Sequence, residues 1–151
     1  MYAIIESCGK QYKVSEGDVV FFEKLDAEEG KKVTFDKVVL VSDEGKVQVG
    51  NPYVKSMKVE GKVVSTCTCV IIPNLTHNQR PYEVVENVVT DQNFRGKGYA
   101  TLCLDFAKEI AIKNNCYKLM LMTGSKKEAT LNFYRNAGYT DKTKTAFDQR
   151  V

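Results

Sequence analysis

The hydrophobic period changes once along this chain of 151 residues, and that change limits what it can fold into. Up to about residue 65, apolar residues alternate over short runs: 2–6, 11–14, 18–25, 32–35, 38–41, 46–49 and 58–64. Val, Ile, Phe and Tyr dominate them, and alternation of period two marks half-buried strands. Between the runs stand Cys8-Gly9, Glu16-Gly17, Glu29-Gly30, Asp43-Glu44-Gly45 and Gly50-Asn51-Pro52, all turn chemistry. Helical spacing is absent there, so the first 65 residues read as an all-β meander or partial barrel.

From residue 66 the pattern is different. Runs 67–72 and 82–90 read as strands joined by a polar loop, 73–81. Residues 97–114 then place Cys103, Phe106, Ala107, Ile110 and Ala111 at helical spacing, a single buried stripe. Residues 117–123 form an apolar strand. Ser125-Lys-Lys-Glu128 has the capping-box pattern, predicting a helix to Ala137 that stops at Gly138, with a last strand from Tyr139 onward. The whole is α+β: an all-β segment, 1–65, joined to a mixed sheet with two helices, 66–151.

Charge divides at the same place. Residues 1–65 hold ten Lys or Arg against eleven Asp or Glu, net −1, and residues 66–151 hold twelve against eight, net +4. Phosphate neutralisation dominates affinity for nucleic acid, so the first segment has little general attraction for it. No apolar run reaches the roughly 20 residues that span a bilayer, and the first residues lack a signal-peptide pattern. A soluble, cytoplasmic protein is expected, with no membrane partner. The five cysteines are odd in number and follow no secreted spacing, so reduced thiols are the default. Cys67 and Cys69 would share one strand face, where packing as small apolar groups is the simplest reading and no metal is expected.

The phosphate-binding signal is Asn93-Phe-Arg-Gly-Lys-Gly-Tyr-Ala100, between a strand and a helix. A glycine-rich loop opening a helix presents unpaired N–H groups and the positive dipole end to an anion, and Arg95 and Lys97 add charge.

Two resemblances follow from these residues. Met1-Tyr-Ala-Ile-Ile-Glu6, Gly9-Lys-Gln-Tyr-Lys-Val14, Glu16-Gly-Asp-Val19, Glu23-Lys-Leu25, Phe35-Asp-Lys-Val38 and Val49-Gly-Asn-Pro-Tyr-Val54 resemble the N-terminal part of the bacterial ribosomal large-subunit protein twenty-one family. Ser7-Cys8 stands where that family usually has a small residue and Gly. The basic stretch that follows in that family, and carries much of its contact with ribosomal RNA, does not follow here.

The second segment resembles the C-terminal half of the GNAT acetyltransferases. The motifs are Ile71-Ile-Pro-Asn-Leu-Thr76, Arg80-Pro81, Glu86-Asn-Val-Val89, Arg95-Gly-Lys-Gly98, Asn114-Asn-Cys-Tyr-Lys118 and Asn132-Phe-Tyr-Arg-Asn-Ala-Gly-Tyr139. Amine-acetylating members related to glucosamine-phosphate acetyltransferases are the most similar. The resemblance implies acetyl-coenzyme A as cofactor and an amine as acceptor. It places the pyrophosphate on Arg95, Gly96, Lys97, Gly98, Tyr99, Ala100 and Thr101, and pantetheine on the main chain of Val88, Val89 and Thr90, with Asn132 in the same coenzyme-binding set. Tyr134 matches the tyrosine that protonates the departing thiolate. Glu86 stands where some members place the carboxylate that deprotonates the amine through water, and an apolar strand would raise its pKa. His77 reads as a surface residue, and Arg80 is a candidate for holding an acidic acceptor.

The resemblance begins only at the family's third strand, so the elements that wall the acceptor pocket have no counterpart. Two truncated pieces leave strand edges unpaired. Strands of the first segment pairing onto the second sheet, or a homo-oligomer such as a strand-exchanged dimer, would cover them. A ribosomal or RNA-associated role through residues 1–65, or a catalytically silent chimera, are the alternatives to acetyl transfer.

Overall fold

The computed structural model describes residues 1–150 as two compact units, Met1–Val64 and the chain from Ser65 onward.

In the first unit, β1 (Tyr2–Ser7), β2 (Lys10–Val14), β4 (Val38–Asp43) and β5 (Lys46–Val49) make an antiparallel sheet in the order β2-β1-β4-β5. β3 (Lys32–Phe35) and β6 (Val59–Lys62) pair separately. Cys8 and Gly9 both have positive φ, the geometry of a two-residue hairpin turn matching the strand twist. Alternation along β1 sends Ala3 and Ile5 into a core with Val14, Phe35, Val38 and Val41.

Residues 18–25, expected as a strand, have no ladder partner. Val20, Phe22 and Leu25 still pack against that core, the first two alternating, and Phe22 lies between the rings of Tyr12 and Phe35 at 4.5 and 5.0 Å. Side chains tie the segment down instead. Lys10 pairs with Glu23, and the Cys8 thiol donates to the Lys24 carbonyl at 2.8 Å. Period-two burial reports packing; it does not require a neighbouring strand.

Gly50 closes the turn after β5. A Cβ there would lie 2.6 Å from the Val54 nitrogen and closer still to Tyr53 backbone atoms, which cannot move without breaking the Val54 N–H bond to the Val38 carbonyl. Gly50→Ala should therefore cost about 1–3 kcal/mol through overpacking, read as a lower urea midpoint for the first unit. An unchanged midpoint would show that the turn yields freely.

In the second unit, β7 (Ser65–Ile72) pairs antiparallel with β8 (Tyr82–Thr90), which pairs parallel with β9 (Leu119–Leu121). α1 (Tyr99–Lys113) crosses between β8 and β9, and α2 (Glu128–Asn136) follows β9. α1 packs on β7 and β8, with Val85, Leu104 and Ala107 at the centre. The predicted α1 stripe is displaced by part of a turn: Leu104, Ala107 and Ala111 are buried, whereas Cys103, Phe106 and Ile110 are half-buried.

The capping box does not form as predicted. Lys127 is the N-cap, the Ser125 hydroxyl accepts from the Lys127 N–H at 3.3 Å, and Glu128 pairs with Arg135 at 2.5 Å. The stop is as expected, with Gly138 in the left-handed region and its N–H on the Arg135 carbonyl. Among the described residues the expected last strand does not form. Tyr139 packs into the core, but every described residue after it is exposed, Phe147 at 94%, so the tail has no apolar face to bury. Among the described residues the second sheet consists of β7, β8 and β9.

Candidate coenzyme site

β8 is longer than its parallel partner, and the difference leaves part of its edge free of that partner. β9 pairs with β8 only from Glu83↔Leu119 to Val85↔Leu121, while β8 continues to Thr90 along β7. Beyond Val85, one edge of β8 has no ladder partner among the described residues. A bulge falls at the same point: the register jumps between Thr66↔Val89 and Thr68↔Glu86, and Asn87 takes φ 51°. The bulge lets Val85 and Val88 both face the α1 core, leaving the main chain of residues 86–90 along the open side.

At the end of β8 the chain turns sharply. The Asp91 carboxylate accepts from the Asn93 N–H at 2.9 Å and caps a single 3-10 turn, Gln92–Phe94. Arg95 Nε donates to the Thr90 carbonyl at 3.2 Å, and Lys97 Nζ lies 5.1 Å over the Phe94 ring. Gly96 and Gly98 have φ of 73° and 84°, and nothing lies within 4 Å of where a Cβ would stand. They are needed for backbone angle, and they leave open space in front of the loop. Gly98 is the N-cap of α1 without a side-chain cap, and Leu102 N–H already bonds its carbonyl. The N–H groups of Tyr99, Ala100 and Thr101 thus have no acceptor within the helix.

Tyr134 on α2 joins the cluster that holds Val88, with its ring 5.0 Å from Phe133 and 6.3 Å from Tyr139. Burial pushes its phenol up, so it stays protonated and able to donate. The structure thereby gathers Val88 and Tyr134 around one apolar centre, with Val89 and Thr90 further along the open strand. Asn132 is exposed on α2, its carbonyl oxygen bonded by Arg135 at 2.8 Å.

The carboxylate taken out of water on β8 is Glu83. Glu83 is fully buried with neither oxygen hydrogen-bonded, and burial pushes its pKa up. Glu86, three residues on, is half-buried. The alternation Tyr82-Glu83-Val84-Val85 carried the signal: Glu83 shares the face of Val85, which packs against α1.

His77 is exposed, as expected, and stacks on Tyr117 with centroids 3.9 Å apart. Arg80 is not free for an acceptor. Its guanidinium donates to the carbonyls of Asn115 and Cys116 at 3.1 and 3.0 Å, capping the chain as it leaves α1. Among the described residues no group of His, Cys, Asp or Glu could hold a metal ion, and no helix is long and apolar enough to cross a membrane.

Two family models account for this architecture. Ribosomal prokaryotic L21 protein matches residues 1–82, and the acetyltransferase (GNAT) domain matches residues 52–141. The chain belongs to both families. On the L21 side it is 58% identical over 64 residues to the large ribosomal subunit protein bL21 of Natranaerobius thermophilus, covering 42% of this chain and 61% of that protein. The bL21 of Symbiobacterium thermophilum is 43% identical over 96 residues, covering 64% and 82%. On the GNAT side, a putative acetyltransferase from Agrobacterium tumefaciens superposes with TM-score 0.58 and 45% identity, covering 60% of this chain and 62% of that one. A Trypanosoma brucei acetyltransferase gives 0.50 and 28%, covering 61% and 67%. The L21–GNAT chain thus spans about three fifths of several relatives on either side.

Proposed function

We propose that the second unit binds acetyl-coenzyme A and transfers its acetyl group to a small-molecule amine. The observation that carries this reading is the β8 edge left without β9 beyond Val85, followed in the chain by the Gly96–Gly98 loop that opens α1. A ligand with an extended amide arm and a diphosphate fits that order of groups. The Tyr99, Ala100 and Thr101 N–H groups would meet the pyrophosphate, with Arg95 and Lys97 supplying charge, and the free edge of Val88, Val89 and Thr90 would pair with pantetheine. Bound there, the thioester supplies an activated acyl carbon. Tyr134 Oη would give its proton to the departing sulfur, and Glu86 would take one from the amine through water. Cytoplasmic location and a homodimer covering the free edges of the second sheet belong to the same reading.

Calorimetric titration with acetyl-coenzyme A tests it: saturable micromolar binding is expected, and no heat above dilution would overturn it. Thiol release with a panel of amines reads transfer. Tyr134→Phe should lower kcat about 100-fold, as loss of a general acid does, with coenzyme affinity retained. Equal loss of affinity would make Tyr134 a packing residue.

Membership of the L21 family favours a second reading, in which residues 1–65 associate with ribosomal RNA. Filter binding at physiological salt separates the two, because a −1 segment should give only weak, salt-sensitive retention unless a specific RNA fold is recognised.

A further inference from the structure

Three of the five cysteines meet between β7 and α1, where the proposed acetyl transfer gives them no task. Cys67 and Cys69 are two apart on β7 and both pack against the cluster beneath α1. Cys103 lies on α1 one turn beyond Gly98. The Cys67 sulfur is 3.8 Å from the Cys103 carbonyl oxygen, and its thiol interacts with those of Cys103 and Cys69. All three are half-buried and reduced.

We infer that Cys67 and Cys103 form a reversible disulfide that staples α1 to β7. Cys69 is the poorer partner for Cys67: alternate strand residues lie about 6.7 Å apart with parallel Cα–Cβ bonds, at the limit of disulfide reach. Cys103 approaches from the opposing helix, with its carbonyl oxygen 3.8 Å from the Cys67 sulfur.

The local chemistry also divides the roles. The contact with Cys67 lowers the Cys103 thiol to about 6, against desolvation. Cys67 is pushed up by the same contact. Cys103 is therefore the attacking thiolate and Cys67 the resolving thiol.

The oxidant is a small disulfide. The Cys103 thiolate attacks one of its sulfurs, forming a mixed disulfide and releasing one thiolate. Cys67 loses its proton, attacks the Cys103 sulfur and releases the second thiol. The pair gives up two electrons and two protons, and the small disulfide becomes two thiols.

The test incubates the full chain with glutathione disulfide, alkylates the remaining thiols and maps peptides without reduction. A Cys67–Cys103 crosslink reversed by dithiothreitol is expected, with a higher melting temperature for the oxidised chain. Cys67→Ser should stop at a glutathione adduct on Cys103, and Cys103→Ser should show no crosslink. A Cys67–Cys69 link, or no intramolecular disulfide in the wild-type chain, would overturn the inference. The wild-type map decides it even if a serine variant fails to fold.

Discussion

Replacing Gly98 with Asp is expected to weaken acetyl-coenzyme A binding at least 100-fold while leaving the second unit folded. Gly98 has φ 84°, a left-handed conformation that Asp tolerates better than most residues, and nothing lies within 4 Å of the new Cβ. The side chain would project at the open start of α1, where the pyrophosphate is proposed to lie. Two like charges about 4 Å apart repel by roughly 4 kcal/mol at an effective dielectric of 20, and about 2.7 kcal/mol already corresponds to 100-fold. Titration calorimetry of wild type and variant, with circular dichroism to confirm helix content, reads the result. Gly98→Ala is the companion: it adds the conformational strain without the charge and should lose much less affinity. Equal losses would mean that conformation matters and charge does not. Unchanged binding in the Asp variant would remove this loop from the site.

The second large effect has the opposite sign. Glu83→Met is expected to stabilise the second unit at pH 7 by about 1–3 kcal/mol, the usual cost of leaving a buried polar group unsatisfied. Glu83 is fully buried with both oxygens unpartnered, and the Tyr139 hydroxyl is buried without a partner as well. Met fills similar volume without a charge. The raised carboxyl pKa fixes the pH dependence. The folded chain holds this proton more tightly than the unfolded one, so the group's contribution is most favourable below the unfolded value of about 4.3. It is lost as pH rises through the folded value. The gain from Glu83→Met should therefore be smaller at pH 4 than at pH 7. Urea unfolding at both pH values tests it, and destabilisation by the same amount at both would show that Glu83 has a partner in solution.

The strands that persisted from sequence to structure are those whose alternation also had a pairing neighbour, such as residues 2–6 and 82–90. Residues 18–25 carried the same alternation and met only a core, because burial pattern and hydrogen-bonding pattern coincide in most strands but are separate physical demands. The glycine loop was legible because Gly96 and Gly98 mark backbone angles that few other residues adopt. The free edge of β8 was not, since it depends on how far β9 follows β8, and β9 keeps only three of the seven residues its apolar run offered. Glu86 and Glu83 show the same limit. Both acids stand in one apolar strand, and only the phase of the strand against α1 decides which is removed from water. Arg80 looked like a free cation because its acceptors, the Asn115 and Cys116 carbonyls, are 35 and 36 residues away in the chain.

That last contact makes β8 a strut. Arg80, just before its start, grips the chain leaving α1, Glu83 N–H reaches the Lys118 carbonyl, and at the far end Arg95 returns to the Thr90 carbonyl just ahead of the same helix. A nine-residue strand is roughly 30 Å long, and α1 is suspended between its two ends. The glycine loop is continuous with α1 through Gly98, so the bonds at both ends of the strand hold loop and helix together against the sheet. A side chain at the hairpin end thereby bears on the glycine-loop end of the helix without coming near it.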